Sequence, residues 1–275
     1  FNLFPSDNYF DYMNIQRILS VCISVLTIIP VYYLCKKFFD EKIAIIGAAI
    51  FVLEPRIIQN SIAGITESLF IFLGVISLSL FLSNNKKMIY ISFVIAGLFA
   101  LVRYEGLLLI IPLVIIFTVR FRKEKKFYLK IFFVVLIFVL TLLPMAHIRS
   151  ETLGNDGLVN HIAAGPLFYQ AVAEENDNEH IIFEMILKGF YSYVMYFGWV
   201  TIPMFFLILP YGFFKIIKNR DTKNWMLIIT GITLSVSALY AYSRDIQETR
   251  YLYVLYPLLC VISLYTINPI FNKFK

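Results

Sequence analysis

The chain contains a succession of long apolar segments, and this feature restricts its possible folds more than any other. A helix needs roughly 20 mostly apolar residues to cross the hydrocarbon layer of a bilayer. One shorter segment, Ile43–Leu53, ends at Glu54 and Pro55, and we expect it to cross with help from the turn that follows. The segments that meet or approach the full length are Ile18–Phe39, Ser68–Ser83, Met88–Val102, Gly106–Val119, Tyr128–Met145, Phe197–Phe214, Trp225–Tyr242 and Tyr251–Ile267.

These segments show no alternation of apolar and polar residues, which a membrane β-barrel with a wet interior would require. In lipid, only helices and closed barrels satisfy every backbone amide. In addition, only 15% of the residues are charged, whereas a soluble domain usually carries about 25%. The sequence therefore predicts an all-α, polytopic transmembrane helical bundle of about nine spans. We expect residues 1–275 to form a single transmembrane domain.

Positive charge is distributed unevenly between the two sides of this predicted bundle. When the loops are assigned alternately to the two sides, one side receives most of the 24 Lys and Arg residues and few acids. Short loops rich in Lys and Arg stay in the cytoplasm, so we predict an N-terminal segment outside and a cytoplasmic C-terminus. Membrane orientation then explains the net charge of +6, and no nucleic-acid partner is predicted. We expect a plasma-membrane location.

The N-terminal stretch Phe1–Gln16 is polar and aromatic, and the sequence has no Met at position 1 and no signal peptide. Because nothing in this sequence would export such an N-terminus, we expect the chain to be a fragment. It would lack at least one upstream helix and most of the first outer loop.

The largest outer-face loop is predicted at Ile148–Glu179. The segment after it, His180–Phe197, carries Glu184, Lys188 and Ser192 at intervals of four residues on an otherwise apolar helix. One polar stripe on an apolar helix is typical of a helix that lies along the membrane interface. We therefore predict an interfacial helix with a stripe that faces water.

Charged residues at the predicted outer ends of the spans are candidate functional groups, because ionisable side chains near lipid are costly. Guanidinium binds phosphate oxygens through a planar fork, and carboxylates can activate a hydroxyl or bind a divalent metal. Each arginine could instead pair with a nearby carboxylate, and this alternative stays open. The candidates are Glu54, Arg56, Glu67, Arg103, Glu105, Arg149, Arg244 and Arg250.

The segment Leu101–Leu109, LVRYEGLLL, resembles the LxRxEGLLL segment of polytopic membrane glycosyltransferases that use lipid-phosphate sugars. These enzymes form the GT-C class, which includes protein O-mannosyltransferases and aminoarabinose transferases. Other stretches resemble the class in the same order and on the same predicted side. They are Arg17–Ser20 with Tyr32–Phe39, Ala48–Pro55, Ser61, Thr66–Leu69, and Thr249–Tyr251 followed by Tyr256 and Pro257.

The resemblance implies transfer of a sugar from a polyprenyl- or dolichyl-phosphate donor to a protein, lipid or glycan acceptor on the outer face. Arg103 or Arg250 would meet the donor phosphate, and Glu67 and Glu105 would shape the acceptor side or hold a divalent metal ion. The catalytic acidic motif of the class would lie upstream of Phe1, so we expect the fragment alone to be inactive. The expected substrate-binding residues are Arg103, Glu105, Glu67, Arg250, Arg56 and Arg244.

Two other functions stay open at the level of the sequence. A secondary transporter or permease predicts charges within the spans and interrupted helices at matching positions of two halves. Here the charged residues fall at span ends and no internal repeat is apparent, which favours the enzyme. A non-catalytic scaffold subunit of a membrane complex would not need clusters of Arg and Glu on one side only.

Overall fold

The computed structural model describes residues 9–154, 159–175, 180–219 and 221–273. Within these ranges every regular element is a helix, which confirms the predicted all-α fold. Two of the elements are 3-10 helices, at Tyr104–Leu109 and Thr249–Leu255. The α-helices are α1 (Tyr9–Leu26), α2 (Ile28–Lys36), α3 (Glu41–Val52), α4 (Pro55–Ile62), α5 (Glu67–Phe81), α6 (Lys86–Val102), α7 (Ile110–Phe121), α8 (Phe127–Leu153), α9 (Val159–Glu175), α10 (Ile181–Thr201), α11 (Leu209–Lys218), α12 (Thr222–Ser243) and α13 (Tyr256–Lys273).

Fewer helices than predicted are long enough to cross a membrane alone. Among the described residues, five helices are candidates for single spans. Helices α3 and α4 bend by 53° at Leu53 and Glu54, and counted as one broken span they raise that number to six. The predicted span Phe197–Phe214 is divided by a non-helical turn that contains Pro203, which lacks the amide hydrogen that a continuing helix needs. The predicted count of nine is therefore not confirmed. The five single candidates are Phe10–Lys36, Tyr104–Phe121, Phe127–Thr152, Thr222–Ser243 and Thr249–Lys273.

The ends of the helices gather into two groups of opposite character. At one end of the bundle, Arg103 after α6 reaches Glu67 at the start of α5, and Arg250 before α13 lies beside the same carboxylate. We call this the arginine end. At the other end, the ammonium of Lys223, near the start of α12, donates to the carbonyl of Lys37 after α2 at 3.1 Å. We call this the lysine end.

Helix α13 forms the centre of the bundle, and its residues Tyr256–Tyr265 are all buried. Aromatic and glycine contacts fix the neighbouring helices against each other. The rings of Phe70 on α5 and Phe99 on α6 stack with centroids 3.9 Å apart. A side chain at Gly74 would press on the Phe99 ring, since its Cβ would lie 2.9 Å from that ring. This close packing of α5 on α6 brings Glu67 and Arg103 to the same level.

Two local predictions for the middle of the chain differ from the structure. The predicted loop Ile148–Glu179 is largely helical, because α8 continues to Leu153 and α9 follows from Val159. Residues 155–158 and 176–179 of this predicted loop lie outside the described residues.

The segment predicted as an interfacial helix does form a helix, α10, but its polar stripe does not face water throughout. Ser192 is buried, contrary to the prediction. The neighbouring Tyr193 hydroxyl lies 2.8 Å from the Ser235 hydroxyl of α12, whereas Phe190 and Tyr191 are exposed. The small polar residue therefore permits close contact between helices, and the apolar side chains face outward.

Candidate functional site

Arg103 connects two carboxylates at the arginine end. Its Nη2 donates to Glu105 Oε1 at 2.8 Å, its Nε reaches Glu105 Oε2 at 3.3 Å, and its Nη1 donates to Glu67 Oε1 at 2.5 Å. All three guanidinium nitrogens are thus engaged, and the Arg103 side chain is only 15% exposed. The geometry is that of a paired fork on one carboxylate with a third bond to the other.

Local backbone geometry places these groups. Helix α6 ends at Val102, Arg103 has an extended conformation, and the chain turns at once into the 3-10 helix that begins at Tyr104. Gly106 permits this turn, because a Cβ there would lie 2.8 Å from backbone atoms of α6. Glu67 lies in the first turn of α5, where the helix dipole favours a negative charge.

Arg250 brings a third segment of the chain to the same place. Its Nη1 lies 3.8 Å from Glu67 Oε1, and its guanidinium also forms an ion pair with Glu248. The ring of Tyr251 lies against the Arg103 guanidinium, with 5.4 Å from the guanidinium carbon to the ring centroid. Glu67 is 3% exposed, and its Oε2 has no hydrogen-bond partner among the described residues. Four predicted site residues, Glu67, Arg103, Glu105 and Arg250, therefore form one network, which we call the carboxylate–arginine network.

Two adjoining pockets open beside this network. The inner pocket lies between Glu67, Arg103 and Arg250 and leaves room for about one water molecule. The outer pocket is much larger, at about 1160 Å³ including its open mouth, and has a mainly apolar lining. The two pockets share Glu105, Ser237 and Tyr251 as lining residues. A ligand the size of a sugar or a phosphate fits only the outer pocket.

Arg244 lines the outer pocket and differs from Arg103 in its contacts. Its guanidinium packs on the rings of Phe168 and Tyr240, 4.3 Å and 5.5 Å from their centroids, and it donates to the Tyr240 hydroxyl at 3.1 Å. Arg149 packs similarly on Tyr104, another lining residue, at 5.2 Å. Within the described ranges, neither arginine is within ion-pair distance of a carboxylate. Both keep an uncompensated positive charge that is held by aromatic faces.

Arg56 is used differently and is not part of the carboxylate–arginine network. It donates to the carbonyls of Trp199 and Ile202 at 2.7 Å and 2.5 Å, which lie at the C-terminal end of α10. It also forms an ion pair with Glu54 at 3.4 Å. A cation at a helix C-terminus satisfies carbonyls that have no partner within the helix. Arg56 therefore joins α4 to α10, and both of its terminal nitrogens are already occupied.

Sequence reasoning did not single out several residues of the outer pocket. Ser237 lies within an apolar segment of α12, where a lone serine is no distinguishing signal. Tyr240 was equally indistinct from the many aromatic residues of the spans. Tyr104 and Tyr251, in contrast, stand beside Arg103 and Arg250 in the sequence, and this adjacency to a charged residue at a span end could have identified them.

The described residues do not assemble a metal site. No group of three or more His, Cys, Asp or Glu side chains converges in the part of the chain that the structure describes. Glu67 and Glu105, the expected metal ligands, both bind Arg103. A guanidinium so close to both carboxylates would repel a divalent cation, so these residues do not fit one in this arrangement.

Comparisons with known proteins bear on both the sequence and the fold. The model of the dolichyl-phosphate-mannose-protein mannosyltransferase family matches residues 12–146, a range that includes Glu67, Arg103 and Glu105. The solved structures that resemble the chain include an oligosaccharyltransferase, which is also of the GT-C type. The resemblance to GT-C-type glycosyltransferases is confirmed. A comparison with curated protein sequences found no match.

Two structures of the Archaeoglobus fulgidus oligosaccharyltransferase resemble the chain in fold. The complex with Zn and sulfate matches with a TM-score of 0.52 and 16% identity over 95% of this chain and 38% of that one. The apo form matches with a TM-score of 0.50 and 13% identity over 94% of this chain and 40% of that one. At such identities the likeness concerns the fold alone. The chain spans about two fifths of the length of the enzyme that it matches.

Proposed function

We propose that the full-length protein transfers a sugar from a polyprenyl- or dolichyl-phosphate donor to an acceptor on the extracytoplasmic face of the membrane. The observation that carries this proposal is the pairing of two sets of arginines at one end of the bundle. One set holds carboxylates, and the other leaves its charge available beside a pocket of ligand size. The family match over residues 12–146 supports the choice of a glycosyl donor.

The donor phosphate belongs, in this proposal, with Arg244 and Arg149. Both guanidinium groups lack a carboxylate partner within the described ranges, and Arg244 lines the outer pocket. The donor phosphate is a diester with one negative charge, and its two free oxygens accept the parallel N–H bonds of a guanidinium fork. When the bond between sugar and phosphate breaks, negative charge grows on the leaving phosphate, and cations already in place stabilise it.

Arg103 and Arg250 then serve to position the two acids. Because Arg103 uses all three nitrogens on Glu67 and Glu105, a phosphate would have to displace a carboxylate to reach it. Glu105 lines both pockets, so its carboxylate marks the border between donor and acceptor. We assign Glu67 and Glu105 to the acceptor side, where they shape the pocket and orient an acceptor hydroxyl.

The experiment uses the full-length protein in membrane vesicles with tritiated dolichyl-phosphate mannose as the donor. Arg244→Lys and Arg149→Lys keep the charge and lose the fork, so we expect the donor kcat/KM to fall roughly 10- to 100-fold, the loss of one charge-assisted hydrogen bond. The matched control is Arg122→Lys, an exposed arginine at the lysine end, which should leave transfer unchanged.

Two outcomes contradict the proposal. Unchanged transfer in both pocket variants would remove these arginines from the donor site. Absence of mannose transfer, together with uptake of free solute that depends on Arg244, would favour the transporter over the enzyme.

A further inference from the structure

A groove between α1–α2 and α5 extends to the lysine end of the bundle, opposite the arginine end. One wall is formed by Leu26, Ile29 and Tyr33, and the other by Phe72, Ile76 and Leu80 on α5. The groove has a cavity volume of about 450 Å³, within the range of about 300–1000 Å³ typical of ligand sites. It is independent of the carboxylate–arginine network, with which it shares no lining residue.

Polar groups in this groove are concentrated at the lysine end. Lys37 lines the groove together with the hydroxyl-bearing Ser79 and Ser83. Lys37 is partly buried, and among the described residues no carboxylate lies within ion-pair distance of its ammonium. The adjacent Lys36 differs in this respect, since it pairs with Glu41 at 3.4 Å.

Two further cations flank the same end of the groove. Lys223 donates to the backbone carbonyl of Lys37 at 3.1 Å, which places a second cation beside the same residue. On the other side, Arg120 donates to the carbonyl of Ser83 at 2.7 Å. Neither Lys223 nor Arg120 forms an ion pair with a carboxylate in the described part of the chain. The groove therefore combines an apolar channel with an end of uncompensated positive charge.

We infer that this groove binds one anionic phospholipid, with an acyl chain between α2 and α5 and the headgroup phosphate near Lys37. The apolar walls match the chain, and the cluster of cations matches the phosphate. Anionic lipids are enriched in the cytoplasmic leaflet, and each lysine near such a surface contributes about 1 kcal/mol. The predicted orientation places the lysine end in that leaflet.

A second apolar groove, between α10 and α12, serves as a contrast. It is of similar size, at about 380 Å³, but no charged side chain lines it. Its residues offer nothing that distinguishes an anionic lipid from a neutral one. The selectivity for negative charge is thus a property of the groove at Lys37.

The inference is tested with the full-length protein in phosphatidylcholine vesicles that contain a trace of phosphatidylglycerol bearing a diazirine on one acyl chain. Photolabelling followed by peptide mapping should locate the lipid on the α5 segment that carries Phe72 and Ile76. Unlabelled phosphatidylglycerol should compete, whereas extra phosphatidylcholine should not.

Five variants separate the headgroup contact from the groove itself. Lys37→Gln should weaken competition by phosphatidylglycerol about fivefold, the equivalent of one lysine near an anionic surface, and Lys37→Arg should restore it. Lys36→Gln is the matched control and should behave as wild type, because Lys36 already pairs with Glu41. Ile76→Trp should fill the groove and prevent labelling, whereas Ile91→Trp, on the exposed face of α6, should not.

Two results would overturn the inference. One is equal labelling by a diazirine phosphatidylcholine, which would indicate annular lipid without selectivity. The other is identical competition in Lys37→Gln and Lys36→Gln, which would remove Lys37 as the contact for the headgroup.

Discussion

Replacement of Arg103 by lysine tests the role that the structure gives to this residue. Arg103 binds Glu105 with two nitrogens and Glu67 with the third. A lysine retains the charge but ends in a compact ammonium that cannot reproduce this three-point geometry. Glu67, which is 3% exposed, would then depend on Arg250, whose nearest nitrogen lies 3.8 Å away.

Two typical costs allow the expected loss in the free energy of unfolding to be assessed. Complete removal of one partner from a buried ion pair costs about 3–5 kcal/mol. Loss of one hydrogen bond to a charged group costs about 1.5–3 kcal/mol. Since the positive charge remains in Arg103→Lys, we expect the free energy of unfolding to fall by the smaller amount, about 1.5–3 kcal/mol. With about 2–4 °C per kcal/mol for a domain of this size, the midpoint of thermal unfolding should fall by roughly 3–12 °C.

The measurement is thermal unfolding of the detergent-solubilised full-length protein, followed by tryptophan fluorescence, for Arg103→Lys, Glu105→Gln and the double variant. Residues that bind each other show coupling of about 0.5–3 kcal/mol in such a cycle. A wild-type midpoint in Arg103→Lys, with additive effects in the double variant, would refute the positioning role and leave Arg103 free to bind phosphate. Arg244→Lys should keep the wild-type midpoint, because Arg244 is exposed.

Three further predictions concern packing, pH and orientation. Gly189→Ala should destabilise the protein by about 1–3 kcal/mol, because its Cβ would lie 2.9 Å from the backbone of α12. The control is Gly198→Ala in the same helix, whose Cβ meets no atom within 4 Å. In thermal scans this control should unfold at the wild-type midpoint or above. The pKa of Glu124 is lowered below its ordinary value of 4.5, chiefly by a hydrogen bond from Lys130. The stability that Glu124 contributes is therefore complete above pH 4.5 and is lost as the pH falls through the lowered pKa. In an acid unfolding curve, Glu124→Gln should lack this loss. A cysteine placed at Lys125, after removal of the native cysteines, should resist an impermeant thiol reagent in intact cells and react after permeabilisation, and reaction in intact cells would contradict the orientation inferred from charge.

The carboxylate–arginine network was partly predictable from the sequence. Arg103 and Glu105 are two residues apart at the end of an apolar segment, so their proximity follows from local geometry. The link to Glu67 requires that α5 pack on α6 with Phe70 stacked on Phe99. Apolar segments give the ends of spans but not the rotation of each helix about its axis. For this reason the sequence predicted that these charges lie on one side of the bundle, but not which arginine pairs with which carboxylate.

The contacts of the individual arginines could not be predicted from the sequence either. In the sequence, Arg56 and Arg244 are equivalent, since each follows an apolar segment beside an acid. In the structure, Arg56 binds carbonyls of α10 more than 140 residues away, whereas Arg244 packs on aromatic rings beside an open pocket. Only the tertiary contacts decide whether a guanidinium is already occupied. The breaks within predicted spans are likewise poorly encoded in hydropathy, because turns such as that at Pro203 are as apolar as the helices they separate.

The peripheral position of α8 has a consequence for how the sequence can change. This long helix packs on α6 and α7, and only 17% of its most apolar window is buried. Most of its side chains meet lipid, which accepts any apolar shape, so drift among Leu, Ile, Val and Phe should be tolerated there. The exception is the strip opposite Gly97, where Thr141 lies within 3 Å of the position of a Cβ. We expect related sequences to vary along the lipid-facing side of α8 and to keep small residues where Thr141 meets Gly97.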